Sequence, residues 1–123
     1  HIIVEKNSIG QIFYDMLCER TDRYEVQYND NVDWRNEISI RCSTFTTTNQ
    51  SKDRIVKKLI VLFENNRIII PDDNKLLTQL STYECKISGS GNPVYNAPIG
   101  SHDDYVMSLC ILVGTLYNEV ELV

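Results

Sequence analysis

The sequence lacks several features that would assign it to a class of protein at once. Its four cysteines, at positions 18, 42, 85 and 110, form no CxxC pair, which argues against a zinc ribbon or a thioredoxin-type motif. The longest apolar run, 105–113, is too short to span a bilayer, and no signal peptide is visible at the start. We therefore expect no membrane partner and reduced thiols in a cytoplasm.

Basic residues are also missing from part of the chain. The formal net charge is −5, which argues against a dedicated nucleic-acid binder. Residues 91–123 hold 4 acids and no base, and residues 1–40 hold 8 acids and 4 bases, whereas residues 41–90 hold 5 acids and 8 bases. The middle third is thus locally basic, which suits either a phosphate backbone or an ordinary solvated helix face.

The 123 residues suffice for one small domain, 1–123, with a single core. Apolar periodicity and turn residues predict alternating strands and helices. We predict strands at 1–5, 24–28, 38–42, 67–70 and 85–88, and a loop at 29–37. We predict helices at 8–20 with a Ser8–Gln11 capping box, from Ser51 to Asn65, after a cap at Asp72 or Asp73, and over about 102–118. This alternation favours an α/β layered fold.

Apolar residues recur at helical spacing on the first helix (Ile9, Ile12, Phe13, Met16 and Leu17) and on the second (Ile55, Leu59, Leu62 and Phe63, widened by Val56 and Ile60). The last helix is apolar on two sides, which predicts a central packing element, and we expect Cys18 and Cys110 to be small buried hydrophobes.

Acidic residues stand at the ends of two of these apolar elements. Glu5 ends the first strand, and His102, Asp103 and Asp104 begin the last helix. Carboxylates in such positions suit Mg²⁺ or Mn²⁺ and phosphodiester hydrolysis by two ions. A purely structural alternative is open, because Ser101 with Asp104 is a capping-box pattern and aspartates favour helix N-termini without any metal. His102 is equally open, as a proton shuttle or a surface polar residue.

Three stretches resemble the nuclease domain of tailed-bacteriophage large terminase subunits. They are "IIVEKNSIGQIFYDML", "SKDRIVKKLIVLFENNRIIIPD" and "NAPIGSHDDYVMSLCILVG", which occur in the family's order and leave 29–50 loosely matched. The resemblance implies an RNase H-like fold with a mixed sheet and flanking helices. It also implies a metal-dependent endonuclease that cuts concatemeric double-stranded DNA during packaging, in the host cell cytoplasm.

The resemblance also assigns roles to individual residues. Glu5 falls on the family's second catalytic carboxylate and Asp104 on the third, with Asp103 adjacent and able to share the metal. His102 matches a commonly present histidine. Asn7 and Gly10 match the turn after the glutamate, and we expect them to be structural, with Gly10 allowing close packing or an unusual backbone angle.

The sequence departs from the family at its start. The family's first catalytic aspartate lies on an earlier strand, and neither that residue nor the ATPase motor with its Gly-rich loop is found here. We therefore expect a C-terminal fragment whose N-terminal strands are missing, with an incomplete two-metal site, an exposed sheet edge and little activity alone. The expected partners are DNA, the terminase ATPase domain, the portal and the small terminase subunit.

Two other functions fit the same residues. One is a different RNase H-like nuclease, such as a resolvase or a transposase core, which uses acids in the same way. The other is a non-catalytic assembly module that docks on a portal or packaging motor, which the charge of −5 and the absent first aspartate favour.

Overall fold

The chain forms two compact units, His1–Thr47 and Thr48–Val123. A computed structural model describes residues 2–28 and 42–116, with the backbone alone over 20–28. The described residues hold four strands and four helices, which agrees with the predicted α/β class. None of the helices within these two ranges is both long enough and apolar enough to cross a membrane.

The first unit is built on one pair of parallel strands. Strand β1 (Ile2–Glu5) pairs with β2 (Cys42–Phe45), with Ile2 opposite Cys42 and Glu5 opposite Phe45. Parallel neighbours need a long connection. Helix α1 (Gly10–Tyr28) lies in that connection and contacts both strands. The predicted first strand and first helix are confirmed, although the helix begins two residues later than expected.

The strand predicted at 24–28 is wrong, because α1 continues to Tyr28. After Gly10 the helix contains neither glycine nor proline, so nothing in the sequence stops its propagation. The loop predicted at 29–37 lies outside the described residues. So does most of the strand predicted at 38–42, and β2 is described from Cys42 onwards.

Helix α2 (Asn49–Glu64) opens the second unit. Thr48 caps it, and the capping box is closed by Ser51, where the helix was predicted to open. Four residues of its predicted apolar stripe are buried, namely Ile55, Val56, Leu59 and Leu62, whereas Phe63 and Ile60 are exposed, which corrects that part of the prediction. Asn65 ends the helix with its amide N–H bonded to the last turn, which confirms the predicted stop.

The strand predicted at 67–70 is wrong, because these residues form neither helix nor strand. Asn66 has a left-handed φ of +52°, and the Arg67 N–H donates to the Leu62 carbonyl at 2.9 Å, so this backbone closes the end of α2. Ile69 is 99% exposed, whereas Ile68 and Ile70 are half-buried, so the run is not the buried strand that was predicted. Asp73 caps helix α3 (Asn74–Thr82), accepting from the Leu76 N–H at 2.9 Å, which confirms the second predicted cap.

A hairpin follows α3. Strand β3 (Glu84–Ile87) confirms the strand predicted at 85–88 and pairs antiparallel with β4 (Pro93–Asn96), which sequence reasoning missed. Proline at the first position of β4 hid the strand, although that is where a strand tolerates it. Tyr95 is buried and donates to the Asp53 carboxylate at 3.1 Å, which ties β4 to α2. Burial, followed by this carboxylate, raises the pKa of Tyr95 to about 12.

Helix α4 (Asp104–Leu116) is the central packing element of the second unit, as its two apolar sides predicted. Six of its residues are buried: Val106, Met107, Cys110, Ile111, Val113 and Gly114. It contacts both α2 and α3. Burial raises the pKa of the Cys110 thiol to about 12, which agrees with the predicted role of this cysteine as a small buried hydrophobe.

Gly114 sets the closest approach between α4 and α2. A Cβ atom at this position would overlap the Ile55 Cγ2 methyl and lie 2.9 Å from its Cβ. Ile55 is completely buried, so it has little room to yield. The small residue therefore determines how tightly these two helices pack.

Replacing Gly114 with alanine should lower the free energy of unfolding by about 1–3 kcal/mol, because the added methyl overpacks the core. Alanine is otherwise the better helix former by about 1 kcal/mol, so the sign of the change is informative. Urea denaturation followed by circular dichroism measures it. Gly89→Ala is the matched control, since no atom lies within 4 Å of the added methyl, and an equal loss in both variants would contradict the packing account.

Candidate active site

Glu5 lies at the end of β1 with its backbone held on both sides. The Lys6 N–H, one residue on, donates to the Phe45 carbonyl at 2.7 Å, which extends the parallel pairing past the strand. The Asn7 side chain then forms two bonds of 2.9 Å with Thr47, donating to its carbonyl and accepting from its N–H. Glu5 is exposed, so its carboxylate is accessible on a fixed backbone. Asn7 is structural, as predicted.

The turn from β1 into α1 depends on close packing at Gly10. A Cβ atom there would overlap the Glu5 carbonyl oxygen and lie 2.8 Å from the carbonyl carbon. Gly10 therefore permits close packing rather than an unusual backbone angle; the left-handed φ of this turn, +58°, belongs to Ser8. The predicted Ser8–Gln11 capping box is wrong, because α1 begins at Gly10 and the Gln11 amide donates to Asp15 at 2.9 Å.

The start of α4 is capped from another helix. The Gln79 side-chain oxygen, on α3, accepts from the N–H groups of Tyr105 at 2.8 Å and Val106 at 3.3 Å. Both are among the N–H groups that a helix N-terminus leaves without an internal partner. Within the described residues, Ser101 takes no part in this cap. Gln79 therefore fills the capping role that the sequence offered to Ser101 and Asp104.

The two aspartates at the start of α4 differ in their surroundings. Asp103 is half-buried and pairs with Lys52 of α2 at 3.5 Å. Asp104 and His102 are exposed. Burial, followed by the charge of Asp103, raises the pKa of the nearby Tyr83, which stays protonated at neutral pH. One aspartate is thus held inside the fold and the other faces solvent.

The predicted site residues are divided between the two units. Asp103, Asp104 and His102 are consecutive in the second unit, and Glu5 belongs to the first. Over 2–28 and 42–116, no three His, Cys, Asp or Glu side chains are grouped closely enough to hold a metal ion. The donors nevertheless suit Mg²⁺ or Mn²⁺ in kind, because both ions prefer carboxylate oxygens.

Sequence reasoning missed Gln79 and missed the pairing of Lys52. Their partners lie 26 and 51 residues away along the chain, and no local pattern marks either residue. It also missed a largely apolar cavity of about 530 Å³ in the second unit, lined by residues of α2, α3, β3 and α4. Its lining includes none of His102, Asp103 and Asp104, so the cavity is separate from these three residues.

Comparison with known proteins finds two relatives by sequence. Each is named "Terminase, large subunit", one from Thermus phage G20c and one from Thermus virus P23-45. Each is 33% identical over 60 residues, which is 49% of this chain and 12% of the relative. The match thus spans about an eighth of the length of these relatives. No protein-family model matches the chain.

Comparison of structures finds the crystal structure of the large terminase nuclease from thermophilic phage G20c. The TM-score is 0.51 at 21% identity, over 76% of this chain and 59% of that chain. At this identity the likeness concerns the fold. Together the two comparisons confirm the resemblance to large terminase nucleases and the RNase H-like α/β class that the motifs predicted.

Replacing Gly10 with alanine should lower the thermal unfolding midpoint by roughly 5–10 °C, because the methyl displaces the Glu5 carbonyl from its place above α1. Ser8→Gly, in the same turn, should leave the midpoint unchanged or raise it, because glycine adopts a positive φ without strain. Calorimetry of the two variants beside the unaltered chain tests this. If the unfolding midpoint of Gly10→Ala is no lower than that of Ser8→Gly, the close approach at Gly10 is not required.

Proposed function

We propose that this chain is part of the nuclease of a phage large terminase, a metal-dependent endonuclease that cuts concatemeric double-stranded DNA during packaging. The likeness in sequence and in fold to proteins named as large terminases and their nuclease supports the proposal. The observation that carries it at the site is the Gln79 cap on α4, because it satisfies N–H groups at the helix start without Asp104, whose side chain is exposed.

We assign the metal to carboxylates at two places in the chain. Glu5 and Asp104 are the proposed principal ligands, since both are exposed acids on ordered backbone, and Asp103 is their neighbour. A bound Mg²⁺ or Mn²⁺ pair would activate a water and stabilise the leaving oxygen of the phosphodiester. The carboxylates would bind and orient the ions, and His102, exposed beside them, would be free to accept or deliver a proton.

The backbone around each proposed ligand suits this task. Asn7 and Gly10 hold the strand end that carries Glu5, and Gln79 holds the helix start that carries Asp104. A metal site loses affinity when its supporting residues are loose, so preorganisation of this kind favours binding. The family resemblance further implies a first catalytic aspartate on an earlier strand, and we propose that the active protein includes it.

The proposed partners follow from the same resemblance. They are double-stranded DNA, the terminase ATPase domain, the portal and the small terminase subunit, which would meet in the host cell cytoplasm. The basic middle third of the sequence supports contact with a phosphate backbone. The resolvase and transposase alternatives receive less support, because the sequence and fold comparisons both find terminases.

One observation favours the non-catalytic alternative, an assembly module. Helix α1 and the residue just before it carry four exposed apolar side chains at helical spacing: Ile9, Ile12, Phe13 and Met16. The sequence predicted this stripe to be apolar, and its exposure suits contact with another protein surface. An assembly module would bind such a partner and would cut no DNA, which separates it from the nuclease.

Removing either proposed ligand should abolish DNA cleavage. In a form of the chain extended upstream, Glu5→Ala and Asp104→Ala should each lower Mn²⁺-dependent nicking of supercoiled plasmid by at least about 100-fold, since loss of supporting residues alone costs 10–100-fold. Glu64→Ala, at an exposed acid at the end of α2, is the control and should retain the activity. Nicking that survives both ligand substitutions, or that falls equally in the control, would refute the assignment.

A further inference from the structure

Lys52 is unusually enclosed for a lysine. Its side chain is 17% exposed, compared with 61% for Lys57 on the same helix. Enclosing a lysine that strongly removes hydration from its charge, which is unfavourable unless other groups replace the lost water. The neighbours of Lys52 should therefore show which groups stabilise its charge in place of water.

Three groups from separate parts of the second unit surround the Lys52 ammonium. The Asp103 Oδ2 and the Asn96 Oδ1 each lie 3.5 Å from its Nζ atom. The ring of Tyr83 lies beneath it, with the centroid 5.8 Å away, which is within the range of a cation–π contact. A flexible side chain is thereby fixed in one place, directly against the first of the two aspartates at α4.

The ion pair makes these aspartates chemically unequal. Asp103 carries a balanced charge and is held inward, whereas Asp104 is exposed in the first turn of the helix. Asp103 precedes the helix and Asp104 is its first residue, and only Asp103 of the two pairs with Lys52. A divalent cation that approached this helix start would meet one net negative charge from the pair, on Asp104.

We infer that Lys52 is a positioning residue, which neutralises and holds Asp103 so that Asp104 is the carboxylate of this pair that binds the metal. The inference rests on the proposed metal-dependent function and deepens it. It differs from a general stabilising role for Lys52, because it predicts the sign of the change in metal affinity.

Mn²⁺ affinity of the chain, measured by titration followed by electron paramagnetic resonance, tests the inference through a double-mutant cycle. Lys52→Met releases the charge of Asp103, so Mn²⁺ should bind about tenfold more tightly, as expected for an added unit charge near a divalent ion. Asp103→Asn leaves Lys52 unbalanced, so binding should weaken by about tenfold. The double variant removes a neutral pair and should return close to the original affinity.

Three further variants complete the set. Lys52→Arg keeps the charge and should preserve the affinity. Lys57→Met removes a lysine that pairs with Asp53 at 2.7 Å, away from Asp103, and should leave Mn²⁺ binding unchanged. Asp104→Asn should abolish the binding. A purely structural role for Lys52 would instead weaken binding in both the Met variant and the double variant.

The possible failures can be told apart. If the unaltered chain binds no Mn²⁺, the same variants are titrated in the form extended upstream, and an absence of binding there overturns the proposed function together with the role of Asp104. If it binds Mn²⁺ but Asp103→Asn abolishes binding and the double variant does not restore it, only the inference is overturned. The ion pair can also be tested without metal, by nuclear magnetic resonance of the Asp103 carboxyl carbon. This resonance should shift in Lys52→Met and remain in place in Lys57→Met. A resonance that does not shift in Lys52→Met would overturn the inference.

Discussion

The contact between α2 and α4 is the constraint on which the second unit depends. At one end, Gly114 lets the helices approach until its backbone meets Ile55; at the other, Lys52 of α2 reaches Asp103 just before α4 begins. The first contact excludes a single methyl group, and the second joins two charges that are both largely withdrawn from water. Because α2 holds α4 near both ends, the position of the acidic helix start is coupled to the packing of the core.

Two side-chain amides support the backbone near the acids. Gln79 satisfies two N–H groups at the start of α4, and Asn7 pairs with the backbone of Thr47 beyond the end of β1. Both are side-chain amides that replace backbone partners which the fold itself does not supply. The backbone at the strand end and at the helix start is thus held by groups other than the side chains of Glu5 and Asp104, and both of these side chains are exposed.

Local signals in the sequence predicted local structure well. The Asp73 cap, the apolar stripe of α2 and the end of β1 at Glu5 each depend on residues a few positions apart, and each was predicted. The two false strands had the right composition, but the backbone there has other partners: residues 24–28 continue a helix that nothing stops, and Arg67 closes the end of α2. Composition alone does not reveal such competition.

Residues that act across the fold could not be predicted in this way. The roles of Lys52 and Gln79 depend on partners brought near by packing, and the one signal for the acids beyond their spacing was the resemblance of three motifs to a known family. That resemblance named Glu5, Asp103 and Asp104 together, although nearly the whole chain separates the first from the others. Spacing and composition by themselves favoured a structural explanation of these acids.

The central proposal is that Glu5 and Asp104 are ligands of the same metal centre. Crystals grown with Mn²⁺ and measured at a wavelength where manganese scatters anomalously would test it most directly. The account predicts anomalous density in coordination contact with a carboxylate oxygen of each residue. Manganese bound to neither residue, or Glu5 and Asp104 found on opposite sides of the molecule, would contradict it.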